Sequence, residues 1–163
     1  MKHYRSPWST SLVVISAGAT IVCLGVSLSV VTVTVGRGVL PWVGLLPLAI
    51  LVGSAPFTIR GYTVTAEAIL VHRLCWATRL PREGLQSATA EPGAMRGSLR
   101  TCGNGGLFSF SGRYWSKHLG AYRALVTDPR RTVVLRYADR TVVISPASPE
   151  QFVRDLPNKA NGP

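Results

Sequence analysis

The sequence predicts a mainly β domain behind an N-terminal transmembrane α-hairpin, closed by one C-terminal helix. Three observations lead there: two charge-free apolar runs near the N-terminus, a switch at Phe57 to short β-type runs, and a helix-start signal near the C-terminus. Polarity is segregated. No charge lies between Ser6 and Gly36 or between Gly38 and Ile59, and Arg37 stands alone between the two runs. All seven acids and fifteen of the eighteen Lys and Arg follow Phe57, so this part carries a net +8 of the chain's +11. With 163 residues there is room for one soluble domain beside a membrane segment. The expected boundaries are a short cytoplasmic N-terminus (1–10), a two-helix transmembrane hairpin (11–56), a β domain (57–157) and a disordered tail (158–163).

The first run, Leu12 to Val35, is long enough to cross a hydrocarbon core of roughly 30 Å as a helix. Its Val and Thr content favours a strand in water, but a lone span in lipid must be helical to satisfy its backbone. The second run, Val39 to Ala55, places Pro41 in a first helical turn and Pro47 where it should kink the helix. Gly36-Arg37-Gly38 is a short connection, so the helices should form an antiparallel hairpin. Lys2 and Arg5 flank its start, and Arg60, Arg73, Arg79 and Arg82 follow its end. The positive-inside rule then places both ends in the cytoplasm, as a multi-pass protein of the inner (plasma) membrane. A signal peptide cut at Ala17-Gly18-Ala19 would sever the apolar run near its middle, so the hairpin is preferred. Gly18 and Gly25 are candidates for close helix packing.

Beyond Phe57 the expected strands are Phe57–Val64, Ala68–Leu74, Cys75–Leu80, Leu85–Ala90, Leu107–Ser111, Ala121–Thr127, Thr132–Tyr137 and Arg140–Ser145. Pro81-Arg82-Glu83-Gly84 and Asp128-Pro129 read as turns. The last three runs read as a β-meander. Ser148-Pro149-Glu150-Gln151 has the form of a capping box, with Phe152, Val153 and Leu156 on one apolar helix face. Cys23, Cys75 and Cys102 show no paired spacing and are expected to be buried, unreactive thiols.

Met95–Gly112 (MRGSLRTCGNGGLFSFSG) and Leu119–Leu156 resemble the bacterial pleckstrin-homology-like (PH-like) membrane proteins. The most distinctive pieces are Arg96-Gly97 and Gly103-Asn104-Gly105-Gly106-Leu107-Phe108, and the similarity covers about residues 57–157. Cys102 and Ser109 depart from the family's usual aromatic and Gly. The resemblance implies a PH-like small β-barrel or sandwich capped by a C-terminal helix, and it transfers no catalytic residues.

Gly103–Gly106 lacks the Gly-Lys-[Ser/Thr] and helix of a phosphate loop, so a turn with positive φ is expected there. His3, His72 and His118 are scattered without metal-binding spacing, and no nucleophile elbow occurs. No cofactor, metal or catalysis is therefore expected. Nucleic acid is disfavoured as a partner, because no binding motif accompanies the charge. From Glu91 to Asp128 no acid occurs, while Arg96, Arg100, Arg113, Lys117 and Arg123 do, interleaved with Tyr114 and Trp115. These seven are the candidate surface-binding residues. The reading is of a membrane-anchored, non-enzymatic module that recognises a protein or peptide partner. The alternative is an anionic-lipid headgroup, since each nearby cation contributes about 1 kcal/mol against an anionic leaflet.

Overall fold

The computed structural model describes residues 1–34 and 41–156; the expected turn at Gly36-Arg37-Gly38 and the expected tail 158–163 lie outside them. The chain opens with a short strand that sequence reading did not anticipate, β1 (Lys2–Arg5). Helix α1 (Thr10–Thr34) follows, started by Ser9, whose hydroxyl accepts the amide of Leu12 at 3.1 Å. A 3-10 turn (Pro41–Leu45), α2 (Leu46–Ser54) and a second 3-10 turn (Ala55–Phe57) lead into the β domain. Pro47 therefore does not kink a continuous helix. It lies in the first turn of α2, where a missing N–H costs nothing. Thr10–Val33, of mean hydropathy 2.2 and largely exposed, is long and apolar enough to cross a membrane, and Val43–Phe57 is a shorter apolar helix. The helices approach through Gly44, whose backbone lies against the side chains of Val30 and Val31. A Cβ on Gly18 or Gly25 would meet open space, so these are not the packing glycines.

The strands are β2 (Ile59–Val64), β3 (Ala68–Arg73), β4 (Ala77–Pro81), β5 (Leu85–Ala90), β6 (Leu99–Gly105), β7 (Phe110–Ser116), β8 (Gly120–Val126), β9 (Val133–Tyr137) and β10 (Thr141–Ile144). They form two sheets, ordered β1-β2-β3-β4 and β5-β9-β10-β8-β7-β6, an open sandwich rather than a closed barrel. Inward residues of one sheet (Ile59, Tyr62, Ile69, Val71) meet those of the other (Leu125, Leu135, Val142, Ile144) in one core. Helix α3 (Pro149–Arg154) closes that core with Phe152, fully buried against the ring edges of Tyr4 and Tyr62. Ser148 begins this helix but makes no side-chain cap, so the capping-box reading does not hold.

The meander expectation fails as well. β9 pairs with β10, and β10, not β9, lies beside β8, in parallel. The connection Thr127–Thr132 is longer than a tight hairpin loop, which leaves a strand-wide slot for β10. Ser145, just after β10, fills the end of that slot. Its hydroxyl accepts the amides of Thr127 (2.8 Å) and Asp128 (3.2 Å). Around it lies a buried polar knot. Tyr62 donates to the carbonyl of Leu125 (2.7 Å) and accepts the amide of Ser145 (3.2 Å), while Thr127 bonds Ser6 and donates to the Pro7 carbonyl. The knot joins both sheets to the root of α1.

Candidate functional site

A cavity of about 670 Å³ lies where α2 meets the end of the sandwich. Ile50, Gly53 and Ser54 of α2 and the neighbouring Phe57 form one wall, and the β6–β7 hairpin with Arg123 and Leu125 of β8 forms another. Among the described residues three arginines line it, Arg73, Arg100 and Arg123, and no acid does. Among the described residues none of the three forms an ion pair.

Arg73 is there because of strand parity. Ile69 and Val71 point into the core, and the next residue of that face is Arg73, only 8 % exposed. Its guanidinium donates to the carbonyl of Phe57 and the hydroxyl of Thr78, both at 3.3 Å. It also sits 5.6 and 5.7 Å from the ring centroids of Phe57 and Trp76. Burial lowers its pKa, and the nearby charge of Arg123 lowers it further. Arg123 lies directly across from Arg113 on β7, so one more like charge shares its face. Arg100 reaches the Gly103 carbonyl at 3.3 Å. Such a constellation is stabilised by an anion, which relieves the repulsion and takes charge-assisted hydrogen bonds.

The β6–β7 hairpin is shaped to stand beside the helices. Gly103 and Gly112 face each other so closely that a Cβ on Gly112 would lie 2.2 Å from the Cys102 carbonyl. Asn104 organises the tip, accepting the amide of Leu107 at 2.9 Å. Phe108, the one non-glycine with positive φ (64°) among the described residues, is held by its amide on the Ser16 hydroxyl at 3.0 Å. That hydroxyl in turn donates to the Gly106 carbonyl at 3.1 Å. Helix α1 thus fastens the hairpin that forms the cavity wall.

The expected site residues separate. Arg100 and Arg123 line the cavity, and Arg113 adjoins Arg123. Arg96 is exposed on the loop before β6, and Lys117 is exposed in the β7–β8 turn, at the opposite end of β7 from the fastened tip. Trp115 is 43 % exposed. Tyr114 is not a surface residue: it is 6 % exposed and stacked on Tyr122. Arg73 was missed, although an Arg at an inward position of an apolar strand was readable as a signal. Cys75 and Cys102 are exposed, contrary to expectation, at a hairpin tip and on the edge strand β6. Among the described residues no cluster of three metal-ligating side chains occurs.

A second depression, about 580 Å³, runs between edge strand β5 and α3, lined by Ala88, Val153 and Leu156 with Arg82, Glu67 and Glu83 at its rim.

Residues 60–160 match the bacterial PH domain family, which is more than half of the chain. The chain belongs to that family. No significant match to a curated protein or to a solved structure was found. In this bacterial PH domain the strands from β2 onward, save Ile59, and the closing helix α3 lie within the matched span, whereas β1, which completes the first sheet, and α1 and α2 precede it. PH domains are in general non-catalytic binding modules.

Proposed function

We propose that this bacterial PH domain is a membrane-anchored, non-enzymatic module at the cytoplasmic face, and that its cavity takes the anionic headgroup of a membrane lipid. The carrying observation is the acid-free cavity lined by Arg73, Arg100 and Arg123 beside the root of the apolar helices. That placement favours a lipid over the protein partner expected first from sequence. Among the described residues no His, Cys or carboxylate lines the cavity, which supports binding rather than acid–base chemistry.

Helix dimensions support the anchor. The first two turns of α1 are docked on the β domain through Leu12 and Ser16, leaving Ala17–Thr34, about 27 Å at ~1.5 Å per residue. That length suits a hydrocarbon core of roughly 30 Å. In the second segment Ile50, Gly53, Ser54 and Phe57 line the cavity, so its first part, residues 41–49, is the part that enters lipid beside α1. β1 precedes α1, β2 follows α2, and the two strands pair, so both ends of the hairpin enter one sheet on one side. The flanking Lys2, Arg5 and Arg60 support a cytoplasmic placement of that side.

The test is titration of the detergent-solubilised full-length protein with short-chain phosphatidylglycerol and phosphatidylcholine. Saturable binding of the anionic lipid alone, weakened about tenfold or more by Arg100→Ser with Arg123→Ser, is expected from two lost charge-assisted bonds. Equal binding of both lipids, or no effect of the substitutions, would overturn the reading. The β5–α3 depression favours a second reading, a peptide added along β5. A photo-crosslinker at Gln86 that captures no protein in cells would dismiss it.

A further inference from the structure

We infer that the β3–β4 turn is a membrane-seated wedge, with Leu74, Cys75 and Trp76 dipping into the lipid interface beside α2. The inference rests on the anchored reading above. Arg73 and Trp76 close a two-residue hairpin, the Arg73 amide bonding the Trp76 carbonyl at 2.8 Å. The tip is therefore Leu74-Cys75. Such tips usually carry Gly, Asn or Asp, which are soluble and tolerate tight turns. Here it is apolar, and it is exposed: Leu74 by 49 % and Trp76 by 44 %.

Its neighbourhood identifies what covers it. Ile59 pairs with Arg73, so the tip stands at the end of the sheet where the chain leaves α2. Phe57, itself 42 % exposed, contacts Trp76 edge-to-face at 5.2 Å between centroids. The apolar surface of α2 thus continues through Phe57 and Trp76 onto Leu74. An aromatic pair with a guanidinium beside both rings matches the interfacial zone, where Trp packs against headgroups and arginine meets phosphate. A lipid leaflet already in contact with α2 covers this surface without any further partner. The rings of Phe57 and Trp76 also hold Arg73 at the cavity.

The native Cys75 supplies the probe. Full-length protein with Cys23→Ala and Cys102→Ser is labelled at Cys75 with a polarity-sensitive fluorophore and reconstituted in vesicles of phosphatidylethanolamine and phosphatidylglycerol. Two controls carry the label elsewhere in a Cys-free background, at Val22→Cys in α1 and at Gln86→Cys on β5. The expected result at Cys75 is blue-shifted emission quenched by nitroxide lipids, partly reversed by Leu74→Ser with Trp76→Ser, and absent at Gln86→Cys. Lipid quenching at Val22→Cys with iodide quenching at Cys75 equal to that at Gln86→Cys would overturn the wedge alone. No lipid quenching at Val22→Cys would overturn the anchor and the wedge together.

Discussion

Replacing Tyr62 by Phe removes one hydroxyl from the centre of the fold and changes almost no volume. That ring is fully buried, and its hydroxyl serves the Leu125 carbonyl and the Ser145 amide, with Ser6 at 3.4 Å. Burial raises the pKa of this phenol, so it stays protonated and donates to Leu125. The substitution loses a net hydrogen bond, about 1 kcal/mol, and strands a buried partner, about 1–3 kcal/mol. The expected cost is therefore about 2–4 kcal/mol. For a β domain of about 100 residues this is a fall in Tm on the order of 10–20 °C. Thermal unfolding of the full-length protein in detergent, followed by near-UV circular dichroism, reads it. Tyr122→Phe is the control. Its hydroxyl donates at 2.7 Å to Ser98, which is itself only partly buried, and about 1 kcal/mol or less is expected. A Tyr62→Phe melt no lower than that of Tyr122→Phe would refute the claim that this knot holds the sandwich to the root of α1.

Further outcomes follow from other contacts. Ser16→Ala strands the Phe108 amide and the Gly106 carbonyl, costing about 1–3 kcal/mol, and should speed hydrogen exchange over 106–109 with little change in β9 and β10. Gly112→Ala forces a Cβ to within 2.2 Å of the Cys102 carbonyl, so the β6–β7 hairpin should open and lower Tm more than Gly84→Ala, where the space is free. Stability should fall at both pH extremes through the Tyr4–Asp155–Lys2 cluster. Burial first, then the hydrogen bond and charge of Asp155, push the Tyr4 phenol up to about 12. A raised pKa gives stability that is complete below the ordinary tyrosine range and lost as pH rises through about 12. Asp155 is held below its ordinary value by the hydrogen bond from Lys2, then by that from Tyr4. Its contribution is present above the ordinary carboxylate range and lost as pH falls through the depressed pKa. Melting across pH should show the alkaline limb weakened by Tyr4→Phe and both limbs weakened by Asp155→Asn.

Much of the fold was legible because periodicity and burial agree there. The Ala68–Leu74 and Leu85–Ala90 runs became β3 and β5 within a residue, and Pro149 opened the closing helix. β1 was not legible, since Lys2–Arg5 is short and charged and becomes a strand only by pairing with β2, more than fifty residues away. β6 was not legible either: Leu99–Gly105 is an almost wholly exposed edge strand, rich in Gly, with no buried face to alternate. Parallel pairing of β8 with β10 depends on what fits between two strands, which no local pattern encodes. The candidate site was half legible. The acid-free stretch pointed to Arg100 and Arg123, but charge density cannot separate them from Arg96 and Lys117, which point elsewhere. Arg73 was readable from strand parity but its contact with Phe57 was not, and Ser16 enters only because α1, which sequence reading treated as anchor alone, meets the β6–β7 tip.

The central claim is that the cavity beside α2 holds an anionic headgroup at the membrane. Native mass spectrometry of the full-length protein, released from nanodiscs of equal phosphatidylglycerol and phosphatidylethanolamine, tests it most directly. The account predicts that phosphatidylglycerol is preferentially retained, and that Arg100→Ser with Arg123→Ser removes the preference while the protein remains folded. Equal retention of both lipids, or a preference untouched by the two substitutions, would contradict it.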